Sequence, residues 1–178
     1  MLSRTLSLKK ELPLPWEENV RSYGFASGRA NRAFGAGLWT GRANLSQEKE
    51  ADFMPEFLSP AWQGKGDAIK ENEWSETPWS LYFSMGEWCV LMQAVCLSDA
   101  EKPRTFWENQ ADILKRMRED FAQLPENIRK DFAIAERSLG KVESALRDAE
   151  KKGQCETIAF EIGNLVKYLS PQSVPDKM

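Results

Sequence analysis

The chain has 178 residues, enough for one domain with a real core, and its hydrophobic and charged fractions, 42% and 29%, need no disulfide or metal staple to fold. It contains no histidine, which excludes histidine general-base catalysis, Ser-His and Cys-His nucleophile activation and histidine metal ligation. The net charge of −3 hides a segregation: residues 1–45 carry seven Lys or Arg against three Glu, residues 46–101 carry three against eleven Asp or Glu, and the rest is nearly balanced.

In chain order, Leu2, Leu6 and Leu8 follow a weak period of two, as in a short strand or ordered arm that Pro13 and Pro15 end. This stretch has neither the apolar run nor the cleavage site of a secretion signal. From Val20 to Asn44, Gly24, Gly28, Gly35, Gly37 and Gly41 alternate with Arg21, Arg29, Arg32 and Arg42 and with Tyr23, Phe25, Phe34 and Trp39. Within it Ser27-Gly28-Arg29-Ala30-Asn31 is echoed by Thr40-Gly41-Arg42-Ala43-Asn44, which suggests one local turn used twice. Ser46 can cap a short acidic helix through Glu48 and Glu50, and Pro60 to Glu76 reads as an exposed connection.

Thr77-Pro78 is a helix start, because Pro at the first helical position loses no useful hydrogen bond. The helix it opens, Trp79 to Leu97, is apolar on nearly every side and is the expected buried centre. Its length would also span a bilayer, but Glu87 and Gln93 interrupt it and no basic cluster brackets it, so no membrane contact is expected. Thr105-Phe106-Trp107-Glu108 fits a capping box, and the stripe that follows is Trp107, Ala111, Leu114, Met117, Phe121 and Leu124. Beyond Pro125, Ile128, Phe132, Ala135, Leu139, Val142, Leu146 and Ala149 alternate steps of four and three until Gly153 stops the helix. Cys155, Ile158, Ile162, Leu165 and Leu169 repeat the rule, so residues 126–170 form an antiparallel helical hairpin.

The chemistry-bearing residues are few. Arginine bridges phosphates, aromatic faces stack on bases and glycine lets a backbone approach closely, so Arg21, Arg29, Arg32, Trp39 and Arg42 are the candidate nucleic-acid-binding residues, with Tyr23 and Phe34 in support. The competing reading packs Phe25, Phe34, Leu38 and Trp39 into the core and leaves the arginines solvated or paired with the acidic middle segment. Glu87, the one charge in the central helix, could carry acid chemistry if held in apolar surroundings, or could sit at the rim or pair with an arginine. Gln63-Gly64-Lys65-Gly66-Asp67 lacks the spacing of a phosphate loop. Cys89 and Cys96 lie too far apart on one helix for a disulfide, and three cysteines without metal spacing fit a reducing, cytoplasmic compartment.

Four short features, in order, resemble the AcaB-like integrating conjugative element protein family: Arg21-Ser22, Leu38-Trp39-Thr40-Gly41-Arg42, Thr77-Pro78-Trp79 opening a helix, and Leu124-Pro125-Glu126 after a charged helix. They span residues 21–126 and cover the C-terminal hairpin weakly. The resemblance implies a regulator or other protein of a mobile element that binds DNA, with dimerisation as an option, and it marks Trp39, Gly41 and Arg42.

The reading as a whole is a mainly α helical bundle with a C-terminal antiparallel hairpin and a basic Gly/Arg/aromatic N-terminal segment that can include a short strand. Residues 1–45 are the basic arm or segment and residues 46–178 the helical domain, the two together forming one globular unit. The expected function is non-catalytic nucleic-acid binding, possessing no cofactor, metal or catalytic residue. The alternative is a helical protein-interaction module, an adaptor, inhibitor or subunit, that binds a protein partner or a second copy through residues 126–170.

Overall fold

Apolar residues recurring at helical spacing are what the chain buries. A computed structural model describes residues 28–47, 74, 76–97, 102–130, 132–148 and 154–169. Among these residues there are six helices and no strand: α1 Arg29–Gln47, α2 Ser80–Leu97, α3 Arg104–Gln123, α4 Glu126–Arg129, α5 Phe132–Arg147 and α6 Gln154–Leu169. The molecule is a mainly α helical bundle. The expected strand at Leu2–Leu8, the helix through Glu48 and Glu50, most of the 60–76 connection and Gly153 lie outside the described residues.

The centre is α2, as its all-round apolar sequence predicts, with ten of its 18 residues buried. It begins at Ser80, not at the Pro78 expected to open it, behind a turn in which the Thr77 hydroxyl accepts the Trp79 N–H at 3.2 Å and donates to the Trp74 carbonyl at 2.8 Å. Around it α1, α3 and α6 each touch α2, and α5 bridges α3 to α6. α2 is also long and apolar enough to cross a membrane by length and composition.

The α1–α2 contact is the closest in the bundle, and sequence explains it. Ala30, Ala33, Gly37 and Gly41 recur every three or four residues, giving α1 a face with almost no side chain. A Cβ on Gly37 would overlap the Phe83 carbonyl, and one on Gly86 would overlap the Phe34 carbonyl. The two backbones therefore touch where their glycines face each other.

This alters three expectations. Gly37 and Gly41 serve helix packing, so the described part of the basic segment is largely a buried helix, and the domain boundary set at residue 45 falls inside α1. The echoed pentapeptide is not a repeated turn, because Gly28 precedes α1 while Thr40 to Asn44 lie within it. Ser46 lies in the last turn of α1, inside a helix rather than ahead of one.

In α3, α5 and α6 the stripes behave as their spacing predicts: Trp107, Ala111, Leu114, Met117 and Phe121, then Phe132, Ala135, Leu139, Val142 and Leu146, then Ile158, Ile162, Leu165 and Leu169 are all buried. Two local details differ. α3 starts two residues early, with Pro103 at the N-cap and no side-chain cap, so Thr105 lies inside the first turn and Glu108 accepts Arg104 Nε at 2.8 Å. The stripe after Pro125 is also split, into α4 and α5. Ile128 ties this corner to α2, its carbonyl accepting the Tyr82 hydroxyl at 2.8 Å, while Phe132 stacks on Phe121 with centroids 4.0 Å apart.

The hairpin of α5 and α6 is held across its seam by a buried carboxylate. Glu161 accepts Lys141 Nζ at 2.9 Å and Asn164 Nδ2 at 3.3 Å. At the other end, Asn31 Nδ2 donates to the Leu169 carbonyl at 2.9 Å and fastens the end of α6 to α1.

Candidate functional site

The predicted nucleic-acid set separates once α1 is folded. Arg29, in the first turn, is exposed and Arg32 is half-buried. Trp39 and Arg42 are 3% and 1% exposed, inside the core with Phe34 and Leu38. A base could stack on Trp39, or a phosphate reach Arg42, only if α1 left α2. Arg21 and Tyr23 lie outside the described residues, as does Phe25. Core packing of Phe34, Leu38 and Trp39, the competing reading, is what the fold contains. Glu87 is half-buried, and its backbone forms the wall against Gly41, with a Cβ at that position only 3.0 Å from Glu87 Cα.

A shallow hollow of about 330 Å³ opens at the α3–α4–α5 corner, beside Glu126, Arg129, Lys130 and Glu136. It pairs two acids with two bases over an apolar floor that includes Phe132, and holds none of the convergent nucleophile and base geometry of an active site. Among the described residues no group of three or more His, Cys, Asp or Glu is placed to hold a metal.

Two other features stand out. The first is the outer face of α6. Phe160 is 66% exposed, the most exposed large apolar side chain described. Glu156, Phe160, Gly163 and Lys167, at steps of four, three and four, are all exposed on the side away from the Ile158–Ile162–Leu165 core stripe. Nothing lies within 4 Å of where a Gly163 Cβ would be, so the stripe has a projecting ring beside an open notch.

The second is a pair of thiols. Cys96, next to last in α2, and Cys155, second in α6, are hydrogen-bonded to each other and only half-buried. That bond raises the Cys96 pKa, with burial adding to the rise, and lowers Cys155 to about 7, with the Lys102 charge helping against burial. Cys155, in the first turn of α6, is the better placed to hold the thiolate, because a helix N-terminus favours negative charge and Cys96 lies at the C-terminal end of α2, which disfavours it. Cys89, two turns earlier in α2, is fully buried and raised by desolvation alone.

Neither feature figured in the sequence reading. Phe160 carried the available signal, because it is an aromatic that falls off the core stripe of its own helix. The thiol pair carried none, since its members come from helices separated by most of the C-terminal half. No family model, curated protein or solved structure matches the chain, so the resemblance to the AcaB-like family rests on its four short motifs.

Proposed function

We propose that this protein is a non-catalytic helical interaction module that docks a second copy of itself on the outer face of α6. The observation that carries the reading is the exposed Glu156–Phe160–Gly163–Lys167 stripe, whose four-three-four spacing is that of a helix-pairing seam. The stripe is self-complementary when two copies run antiparallel. Phe160 and Gly163 lie symmetrically about one point of the helix, and Glu156 and Lys167 lie symmetrically about the same point. A two-fold axis through that point sets each Phe160 over the notch at the other copy's Gly163, and each Glu156 opposite the other copy's Lys167.

The seam is short, about 17 Å from Glu156 to Lys167 at 1.5 Å per residue. A single helix pair of this length falls below the ~1,200 Å² at which standard interfaces begin, so the expected dissociation constant is on the order of 10–100 μM. Sedimentation velocity across that range tests the reading. A monomer–dimer equilibrium that Phe160→Glu abolishes without changing helical content supports it; a monomer at every concentration sinks it.

The nucleic-acid expectation is answered on the same preparations by fluorescence anisotropy with duplex DNA, single-stranded DNA and RNA at two salt concentrations. Salt-steep binding lost in an Arg29→Ala, Arg32→Ala variant would move the function to nucleic acid.

A further inference from the structure

We propose that Cys96 and Cys155 are an oxidisable thiol pair, which a hydroperoxide converts to a disulfide joining the end of α2 to the start of α6. The inference is independent of self-association and rests on a different part of the molecule. Cys155 lies in the first turn of α6, where unpaired backbone N–H groups and the helix dipole favour a negative sulfur. Cys96 donates its hydrogen bond to that sulfur, and the Lys102 ammonium adds positive charge beside it. Both residues are accessible enough for a small oxidant, and α2 and α6 pack directly against each other. Cys89 has the opposite character: it is buried, raised in pKa and without a thiol partner of this kind.

The chemistry closes in two steps. The Cys155 thiolate attacks one oxygen of hydrogen peroxide, the O–O bond breaks, and the departing hydroxide takes a proton to become water, leaving a sulfenic acid on Cys155. The Cys96 sulfur then attacks the Cys155 sulfur, the S–O bond breaks, and a second water leaves with the Cys96 proton. Two thiols are oxidised by two electrons and one peroxide is reduced to two waters. The two side chains already meet in a hydrogen bond, which supplies the proximity that a disulfide requires.

In consequence the α2–α6 contact acquires a covalent form. The closed loop contains α3, α4 and α5, so the cross-link restrains most of the C-terminal half of the unfolded chain. A thiol reductant reverses it.

The test uses the full chain, reduced and then freed of reductant. After hydrogen peroxide, non-reducing digestion and mass spectrometry should find a Cys96–Cys155 peptide two hydrogens lighter than its parts, with Cys89 still a thiol. In Cys96→Ala, dimedone should trap a sulfenic acid on Cys155. In Cys155→Ala, peroxide should consume the Cys96 thiol at least about tenfold more slowly than in the wild type, because the reactive thiolate is gone. Circular dichroism establishes that both variants fold. Thiols that all survive peroxide, cross-links formed only between chains, or oxidation of Cys89 as fast as of Cys155 would each overturn the proposal.

Discussion

Tyr82 and Glu161 are polar groups that the core accepts because each finds its partners there. Tyr82 gives its hydroxyl to the Ile128 carbonyl and sets its ring edge-on to Phe121, with centroids 4.9 Å apart. Tyr82→Phe keeps the ring and strands the carbonyl, which should cost about 1–2 kcal/mol in urea unfolding. For Glu161, burial alone would raise the pKa, but hydrogen bonds from Lys141, Asn164 and Ser138 and the Lys141 charge outweigh it and leave the carboxyl below its ordinary value. A carboxylate lowered in the folded state adds stability above its unfolded pKa and loses it as pH falls through the folded one. The acid limb of a stability–pH curve should therefore steepen below the ordinary carboxylate value of 4.5, and Glu161→Gln should flatten it. An unchanged curve would mean the hairpin seam does not depend on that charge.

At the scale of elements, α1 and α6 use glycine in opposite ways. Gly37 has no room for a Cβ against α2, so Gly37→Ala must push two backbones apart, with a loss of about 3 kcal/mol or more and a matching drop in melting temperature. Gly163 faces open space, so Gly163→Ala should raise monomer stability by about 0.5–1 kcal/mol, because alanine costs less chain entropy inside a helix. Under the proposed pairing, the same change fills the notch that receives Phe160 and weakens association.

The elements themselves were unevenly legible. α2, α3, α5 and α6 were readable because hydrophobic spacing records which face is buried, and the local Thr77-Pro78 turn placed the start of α2 to within two residues. α1 was not. Its closest face against α2 is made of alanine and glycine, which carry no hydrophobic period, and glycine in a short window reads as a loop or ligand-binding backbone. The α3 cap was missed by two residues, since Pro103 can occupy the N-cap without a side-chain bond and leaves Thr105 redundant.

Over the whole molecule, sequence composition located a basic region and the fold redistributed it. Arg42 goes into the core while Arg29 stays at the surface, so a patch defined by sequence proximity is no guide to a patch in space. The exposed features that remain are assembled from the C-terminal half: a seam on the outside of α6 and a thiol pair at its beginning. The seam was half-legible, since the heptad steps of residues 126–170 raised dimerisation, but those steps build the monomer's own core and the exposed stripe is the one offset from them.

Charge reversal tests the seam most directly. Glu156→Lys alone should set two Lys–Lys pairs across the two-fold axis, Lys167→Glu alone should set two Glu–Glu pairs, and each should self-associate about tenfold more weakly than the wild type. Mixing the two single variants restores opposite charges at both contacts, so sedimentation velocity should find a heterodimer with near wild-type affinity in the mixture and little dimer in either variant alone. Equal association in the wild type, both variants and their mixture would contradict the account and leave α6 without the role assigned to it.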